Sequence, residues 1–340
     1  MKKTITISIC VAVLAMIATT ANAKSWRINS DATKNADFAN INAAMNSSDV
    51  EAGDTLYLDP GCLLTANQTV SKRVTIVGPG YLRNSAPHQG ATISGSLYLS
   101  AAEAKIEGIT MTSDVLINAQ YVTIERCRVT GNIRYSSSSS NAQYATIRQC
   151  YVVNVYGYGK TSTNTAYWTI ENNIIQYTST ANVIRNLNNP TIRNNYISHT
   201  NGSYYPLADI QGGMVTNNII FNKGTNNNVW TGMTDVVINH NVTSSAEKTS
   251  YPDNKYLDSN DESTVFALEG TYDQKYQLKA DSPAKGYGTD GKDCGPSGGT
   301  YPYVISGLPA GYPYYTNAII GTRAENGKIN VSLNIKMQNE

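Results

Sequence analysis

The chain has 340 residues and a formal net charge of +1 at neutral pH. A balance this close to zero gives no indication of nucleic acid, or of another polyanion held by bulk charge, as a partner. The composition is unusual in its aromatic residues, with 24 Tyr against 3 Phe and 3 Trp.

The N-terminus has the pattern of a secretory signal peptide. Lys2 and Lys3 give a basic start, residues 5–17 form an apolar run, and Ala21-Asn22-Ala23 is an A-x-A cleavage site. The apolar run is too short to anchor the chain in a membrane. We therefore predict a bacterial type of signal peptide at 1–23, cleaved after Ala23. The mature protein is expected to be secreted, periplasmic or on the cell surface, with no membrane span.

The first part of the mature chain predicts a cap. Residues 37–45 read as a short amphipathic helix, with Phe38, Ile41, Ala44 and Met45 on one face. Such a helix would cover the unpaired strand groups at the end of a solenoid. An apolar anchor then recurs at irregular spacing at Ile76, Ile93 and Ile106, as is common in terminal repeats.

From Val122 to Val242 one short phrase returns every 22 or 23 residues. Its apolar anchors are Ile124, Ile147, Ile170, Ile192, Val215 and Ile238. The segments are short, rich in β-branched residues and interrupted by a corner, so each phrase predicts two strands joined by a bend. A fixed period of this length predicts a solenoid of stacked coils.

The third position after each anchor predicts a ladder inside the solenoid. It holds Cys127, Cys150, Asn173, Asn195, Asn218 and Asn241. If the coils stack in parallel at ~4.8 Å, each Asn amide can donate to the carbonyl of the next one. The preceding residues Asn172, Asn194 and Asn217 suit a corner with positive φ. The cysteines are predicted to be free, buried thiols, and their spacing does not resemble a metal site.

Repeats of the form T-I-x-N-N-x-I with such a ladder resemble the right-handed parallel β-helix family, the pectate-lyase-like superfamily, over roughly residues 35–300. The resemblance implies an all-β, right-handed parallel β-helix solenoid. We predict this solenoid, with its N-terminal capping helix, at 24–300. Alternating residues near the C-terminus predict a small β hairpin at 301–340. One scaffold hosts many chemistries, so function has to be argued from a site.

Each regular coil predicts a third strand, and this strand carries the candidate site. The strand is expected at 182–186, 207–211 and 228–232, with less regular counterparts at 160–163 and 136–140. If Ile184 and Ile210 point inward, alternation turns Arg185, Asp209 and Trp230 outward. Lys160 falls near the same column.

Long loops at 156–159 and 199–206 flank this column, and in the resembled superfamily such a groove holds polysaccharide. Sugar rings could stack on Trp230, Tyr204 and Tyr158 while Arg185 and Asp209 bind hydroxyls or a carboxylate. An ordinary mixed surface is the alternative interpretation. A second outward column, at Glu107, Glu125, Arg148, Glu171 and Arg193, predicts an ion ladder on the surface that adds little stability.

The acidic residues limit the chemistry. Calcium would need several clustered carboxylates, and only Asp209 lies on the candidate face, so no metal is assigned and calcium stays open. No carboxylate pair suits glycoside hydrolysis. A metal-independent elimination remains open, in which Arg185 or Lys160 neutralises a uronate and Tyr205 or His199 takes the proton. We predict a monomer that binds polysaccharide in this groove and could cleave it as a lyase. The alternatives are a non-catalytic, adhesin-like carbohydrate-binding protein and a structural surface protein.

Overall fold

Parallel strands from successive coils pair side by side along the whole solenoid. The computed structural model describes residues 23–81, 89–137, 140–224, 228–244, 251–270, 272–308, 313–320 and 331–337. Residues 1–22 of the predicted signal peptide lie outside this part of the chain. Among the residues described, no helix is both long enough and apolar enough to cross a membrane.

The first face of the solenoid, face 1, is a parallel sheet of ten strands that carries the predicted anchors. Its strands are Ser25–Ile28, Thr55–Leu58, Thr75–Val77, Lys105–Glu107, Thr123–Glu125, Thr146–Arg148, Thr169–Glu171, Thr191–Arg193, Met214–Thr216 and Val237–Asn239. The anchors pair in register from Ile106 to Ile238 and are buried in the core. The predicted anchor column is therefore confirmed for these residues, and Ile76 joins it by pairing with Ile106. The predicted anchor Ile93 is wrong, because this residue pairs with Leu64 and Met111 in the second sheet.

The other two faces belong to one continuous sheet. Face 2 contains Leu63–Leu64, Thr92–Ile93, Thr110–Met111, Ile174–Tyr177, Tyr196–His199, Ile219–Asn222, Val242–Thr243 and Lys255–Tyr256. Face 3 contains Gln68–Val70, Leu97–Leu99, Val115–Ile117, Ile184–Asn188, Leu207–Gln211 and Trp230–Thr231. The long strands Arg128–Tyr135 and Tyr151–Tyr156 run through both faces.

The asparagine ladder is present inside the solenoid. Asn173 donates both its backbone N–H and its Nδ2 to Oδ1 of Asn195, at 3.0 and 2.9 Å. The same pair of bonds links Asn195 to Asn218, Asn218 to Asn241 and Asn241 to Asn254. Asn254 extends the ladder beyond the predicted repeat, because the last coil is shorter. The Cys150 N–H continues the ladder at its other end by donating to Oδ1 of Asn173.

The corner beside the ladder uses left-handed backbone on every regular coil. The residues there are Arg126, Gln149, Asn172, Asn194, Asn217 and His240, with φ between 51° and 60°. The predicted role of the three asparagines is confirmed, since Asn tolerates this conformation better than most residues. The four cysteines among the described residues are buried and unbridged.

The N-terminal cap is a shorter helix than the sequence pattern indicates. It spans Ile41–Asn46 and buries Ile41, Ala44 and Met45. The Asn40 side chain accepts a hydrogen bond from Ala43 N and so starts the helix later than residue 37. Phe38 instead forms a parallel bridge with Ile28.

Residues 257–308, called the strap below, leave the last solenoid strand and run back along the outside of the solenoid. Val265, Phe266 and Cys294 pack on a column of outward residues of face 2, namely Ile174, Tyr196, Ile219 and Val242. Asn172 Nδ2 donates to carbonyl oxygens of Pro296 and Gly298, which fastens the strap to the corner. Face 2 therefore has an apolar layer on both of its sides.

Short 3-10 turns lie outside the coils, and the chain ends in a hairpin. The turns are Ala32–Lys34, Thr163–Thr165, Glu262–Thr264, Tyr272–Tyr276 and Ile305–Gly307. The antiparallel strands Pro313–Ile320 and Val331–Met337 form a separate sheet of two strands. This sheet is the predicted C-terminal β appendage.

Removing one member of the ladder should destabilise the solenoid. Asn195→Ala leaves two buried donors of Asn173 without their acceptor, and each such orphan costs roughly 1–3 kcal/mol. We expect the free energy of unfolding in urea to fall by about 3 kcal/mol. Asn46→Ala, at the exposed end of the cap helix, is the control and should change it by less than about 0.5 kcal/mol. Equal stability of the two variants would contradict the role given to the ladder.

Candidate functional site

Two arginines and a tyrosine form one outward column on face 3. Arg134 pairs in register with Tyr156, and Tyr156 pairs with Arg185 on the next coil. The guanidinium carbon of Arg185 lies 4.0 Å from the centroid of the Tyr156 ring. This distance is a close cation–π contact, so the two side chains pack against each other on the surface.

The side chain of Asn154 and the backbone carbonyl of Asn182 hold Arg185 in place. Its Nη1 donates to Oδ1 of Asn154 at 3.0 Å and to the carbonyl oxygen of Asn182 at 2.5 Å. Asn154 is fully buried, and its own Nδ2 also donates to the Asn182 carbonyl. The two hydrogen bonds from Nη1 thus fix the orientation of the guanidinium.

Arg185 and Arg134 differ in their countercharge. Arg134 Nε lies 2.7 Å from Asp114 Oδ2. Arg185 is half-buried and forms no ion pair with any carboxylate of the described residues. Burial lowers the pKa of Arg185 from its ordinary value, but a guanidinium stays protonated in proteins. The column therefore contains a half-buried positive charge that no acidic side chain in the described chain neutralises.

Tyrosine rings surround the column. Tyr135 contacts Tyr156 and Tyr158 edge to face, with ring centroids 6.3 and 5.2 Å apart. Burial raises the pKa of Tyr156, although Arg134 and Arg185 act in the opposite direction. The Tyr158 ring is 49% exposed. The backbone N–H of the preceding residue, Gly157, donates to the carbonyl oxygen of Arg185.

The structure places Asp209 and Lys160 outside the Arg185 column. Arg185 pairs with Ala208, while Asp209 takes φ 53° and lies at a kink of the strand. Lys160 lies in the loop after Tyr156, where the predicted strand at 160–163 is replaced by a turn and a 3-10 helix. Its Nζ is 3.5 Å from the Gly232 carbonyl oxygen. The predicted shared column of these residues is wrong because the kink shifts the alternation.

His199 is a structural residue in this site. It is fully buried, its Nδ1 accepts from Asn201 N at 2.8 Å, and its Nε2 lies 2.9 Å from the carbonyl oxygen of Ala181. These contacts assign the proton to Nε2. Burial lowers the pKa of His199 and so favours the neutral ring. Tyr204 stacks on this ring at 5.9 Å.

The loop that carries Tyr205 contacts the residues that hold Arg185. Tyr205 N donates to Oδ1 of Asn182 at 2.8 Å, and its carbonyl oxygen accepts from Val183 N. Asn182 thus links Arg185, Asn154 and Tyr205. The loop of Tyr205 and the Arg185 strand therefore meet at Asn182.

Trp230 is buried, which contradicts its predicted outward direction. It pairs in register with Leu207, and Leu207 pairs with Ile184, so all three belong to the inward column. Its side chain is 8% exposed and contacts Tyr251 edge to face. Trp230 fills the core near the end of the solenoid and presents no stacking surface.

Comparison with known proteins agrees with this architecture. Residues 93–251 match a family model described as the right-handed β-helix region. This chain is a right-handed parallel β-helix. No curated protein matches it.

Arg134 and Tyr156 belong to the Arg185 column but were not predicted from the sequence. In their coils the outward position of face 3 comes ten and nine residues after the anchor, but in the next coil Arg185 comes fifteen residues after Ile170. The early coils place their long loop after face 3, and the later ones place it before. The period stays constant while the loop moves, so counting by period misplaced the strand in these coils.

The predicted ion ladder on face 1 buries its acidic members. Glu107, Glu125 and Glu171 are 7, 3 and 3% exposed, whereas the side chains of Arg148 and Arg193 are 23 and 42% exposed. Arg148 Nη2 lies 3.1 Å from Glu125, and Tyr301 of the strap covers the Arg148 guanidinium at 4.4 Å. The predicted exposure of the three glutamates is wrong, because the strap and the long basic side chains cover them.

Within the described chain, no group of three or more His, Cys, Asp or Glu residues could hold a metal ion. The sequence left calcium open, and the candidate groove offers no carboxylate cluster of this kind for it.

Glu125 makes the stability of the β-helix depend on pH. Burial raises its pKa, but hydrogen bonds from Lys105 and Arg148 outweigh this effect and hold the pKa below the ordinary value of 4.5. A lowered pKa in the folded state contributes stability above pH 4.5 that is lost as the pH falls through the folded value.

Glu125→Gln should therefore lower the free energy of unfolding by about 3 kcal/mol at pH 7, because it removes one partner of a buried ion pair. We expect the difference from wild type to shrink in urea denaturation between pH 5 and pH 3. Glu103→Gln is the control, since Glu103 pairs with Arg73 at an exposed position. A difference from wild type that does not depend on pH would contradict this assignment.

Proposed function

We propose that this β-helix binds an acidic polysaccharide along face 3, with Arg185 as the group that binds the anionic sugar. The observation that carries the proposal is the half-buried Arg185 guanidinium without a carboxylate partner. A buried charge that lacks a counter-ion is costly, and a ligand carboxylate would remove that cost. Arginine is suited to this contact because its planar fork can donate two parallel hydrogen bonds to a carboxylate.

The surroundings of Arg185 favour a sugar as the carrier of that carboxylate. Tyr158 offers an exposed ring that contacts Tyr135, which in turn contacts the Tyr156 ring under Arg185, and aromatic rings with a polar tip bind sugar rings through their apolar faces. The outward column from Arg134 to Arg185 crosses two coil steps, roughly 10 Å in all. An extended chain of sugars fits this column better than a single small anion.

Binding without cleavage is the function that the groups around Arg185 favour. Two residues were predicted to take a proton. His199 has both of its ring nitrogens engaged in hydrogen bonds in the interior. The other residue, Tyr205, contacts Asn182 and Val183 through its backbone. No pair of carboxylates accompanies Arg185 in the described groove, so hydrolysis has no acid and base there. The proposed function is binding of acidic polysaccharide by an exported protein, which agrees with the predicted signal peptide.

Loss of the Arg185 charge should weaken binding. We expect wild type to bind at least one of polygalacturonate, alginate and hyaluronate in titration calorimetry, and to bind neutral dextran at least tenfold more weakly. Arg185→Ala should reduce affinity about 10- to 100-fold, because a charged hydrogen bond contributes roughly 1.5–3 kcal/mol. Arg185→Lys should restore only part of it, since Lys lacks the fork. Arg73→Ala removes the same charge from an exposed ion pair and should change affinity less than twofold.

The same panel separates binding from elimination. We expect no rise in the absorbance of unsaturated uronate products over hours with wild-type protein. A rise that Arg185→Ala abolishes would replace the binder with a lyase. Failure to bind any acidic member, or full affinity of Arg185→Ala, would overturn the proposal.

A further inference from the structure

Three exposed tyrosines form a stack on one edge of face 1, and the groove on face 3 does not include them. Tyr121, Tyr144 and Tyr167 occupy successive coils, with ring centroids 5.0 and 5.1 Å apart and ring planes within 10° of parallel. Their side chains are 51, 40 and 47% exposed. This stack is called the tyrosine ladder below.

The backbone of the tyrosine ladder is unfavourable for tyrosine. All three residues have positive φ, of 58°, 58° and 62°, a conformation in which a bulky side chain is an outlier. The corresponding corner of the next two coils is occupied by Asn189 and Gly212, which tolerate it well. Tyrosine therefore stands three times where a smaller residue would fit with less strain.

Stacking does not clearly outweigh this strain. A left-handed position costs roughly 1–2 kcal/mol for a residue with a side chain, so three cost about 3–6 kcal/mol. Two ring pairs contribute about 0.5–1.5 kcal/mol each beyond the area they bury. Strained residues that do not stabilise the fold cluster at functional sites, so the imbalance points to a role in binding.

A single loop connects the tyrosine ladder to the groove. This loop, residues 157–166, carries Tyr158 near its start, and the Tyr158 backbone N–H donates to Thr165 Oγ1 at 3.2 Å. Thr165 is two residues from Tyr167, which bounds their Cα separation at about 7 Å. The Tyr144 N–H also donates to the carbonyl oxygen of Ala166, at the end of this loop. The tyrosine ladder and the rings around Arg185 are therefore joined by this one loop.

We propose that the tyrosine ladder is a second contact surface for the same polysaccharide chain, engaged by sugars that extend past the Arg185 groove. This inference rests on the proposed function. The stacked rings cover each other's faces, so they present ring edges and phenol hydroxyls in a row. Such a row hydrogen-bonds to the hydroxyl groups of an extended glycan. Because the tyrosine ladder starts beyond Tyr158, it matters only for ligands long enough to reach it.

Ligand length tests the tyrosine ladder separately from the groove. The test compares a triple variant, in which Asn replaces Tyr121, Tyr144 and Tyr167, with wild type. The probes are whichever acidic polysaccharide of the panel binds best and its tetrasaccharide. We expect the triple variant to bind the tetrasaccharide like wild type and the polymer at least tenfold more weakly. Its melting temperature should stay the same or rise, because Asn tolerates the left-handed corner.

The matched control is Tyr272→Asn, since Tyr272 is also exposed and has φ 51° but lies in the strap. It should leave the affinity for the polymer unchanged. Unchanged polymer affinity in the triple variant would overturn the inference while leaving the groove intact. An equal loss for polymer and tetrasaccharide would also overturn it, because the tyrosines would then act by supporting the groove. If wild type binds no member of the panel, the proposed function itself fails.

Discussion

One asparagine oxygen accepts two hydrogen bonds from the coil before it, and this contact repeats through the interior corner of the solenoid. It joins Asn173, Asn195, Asn218, Asn241 and Asn254. Because both donors are buried, a coil of different register would leave them unpaired at a cost of several kcal/mol. The ladder therefore keeps every coil in register with its neighbours, and the inward isoleucine columns follow from that register.

A fixed register permits variation elsewhere on each coil. The long loop lies after face 3 in the coils of Arg134 and Tyr156 and before it in the coil of Arg185, yet the paired columns stay aligned. Loops tolerate such changes because they lie on the surface and carry few buried contacts. The Arg185 site on face 3 lies where the loop changes sides. There Asn182, from the relocated loop, binds Arg185 from one coil and Asn154 from the coil before.

The strap gives the β-helix a second apolar layer and separates its faces by function. Phe266 and its neighbours cover the outer side of face 2, and Tyr301 covers part of the charged column on face 1. Face 3 and the tyrosine ladder lie on the remaining side. In the described part of the chain the strap packs on faces 1 and 2, so the proposed binding surfaces lie on the side from which an extended ligand could approach.

The sequence alone determined the coil period, the anchor column, the asparagine ladder and the corners at Asn172, Asn194 and Asn217. These features repeat because each coil contacts an equivalent coil about 23 residues away. Only the tertiary structure decided the burial of Trp230, the displacement of Asp209 and the burial of Glu125. The displacement of Asp209 depends on a local kink. The burial of side chains depends on loop position and on contacts with the strap, such as that of Gln149 with Pro302, 153 residues apart. Contacts at such separations leave no period in the sequence, so the pattern predicted the scaffold and only part of the site.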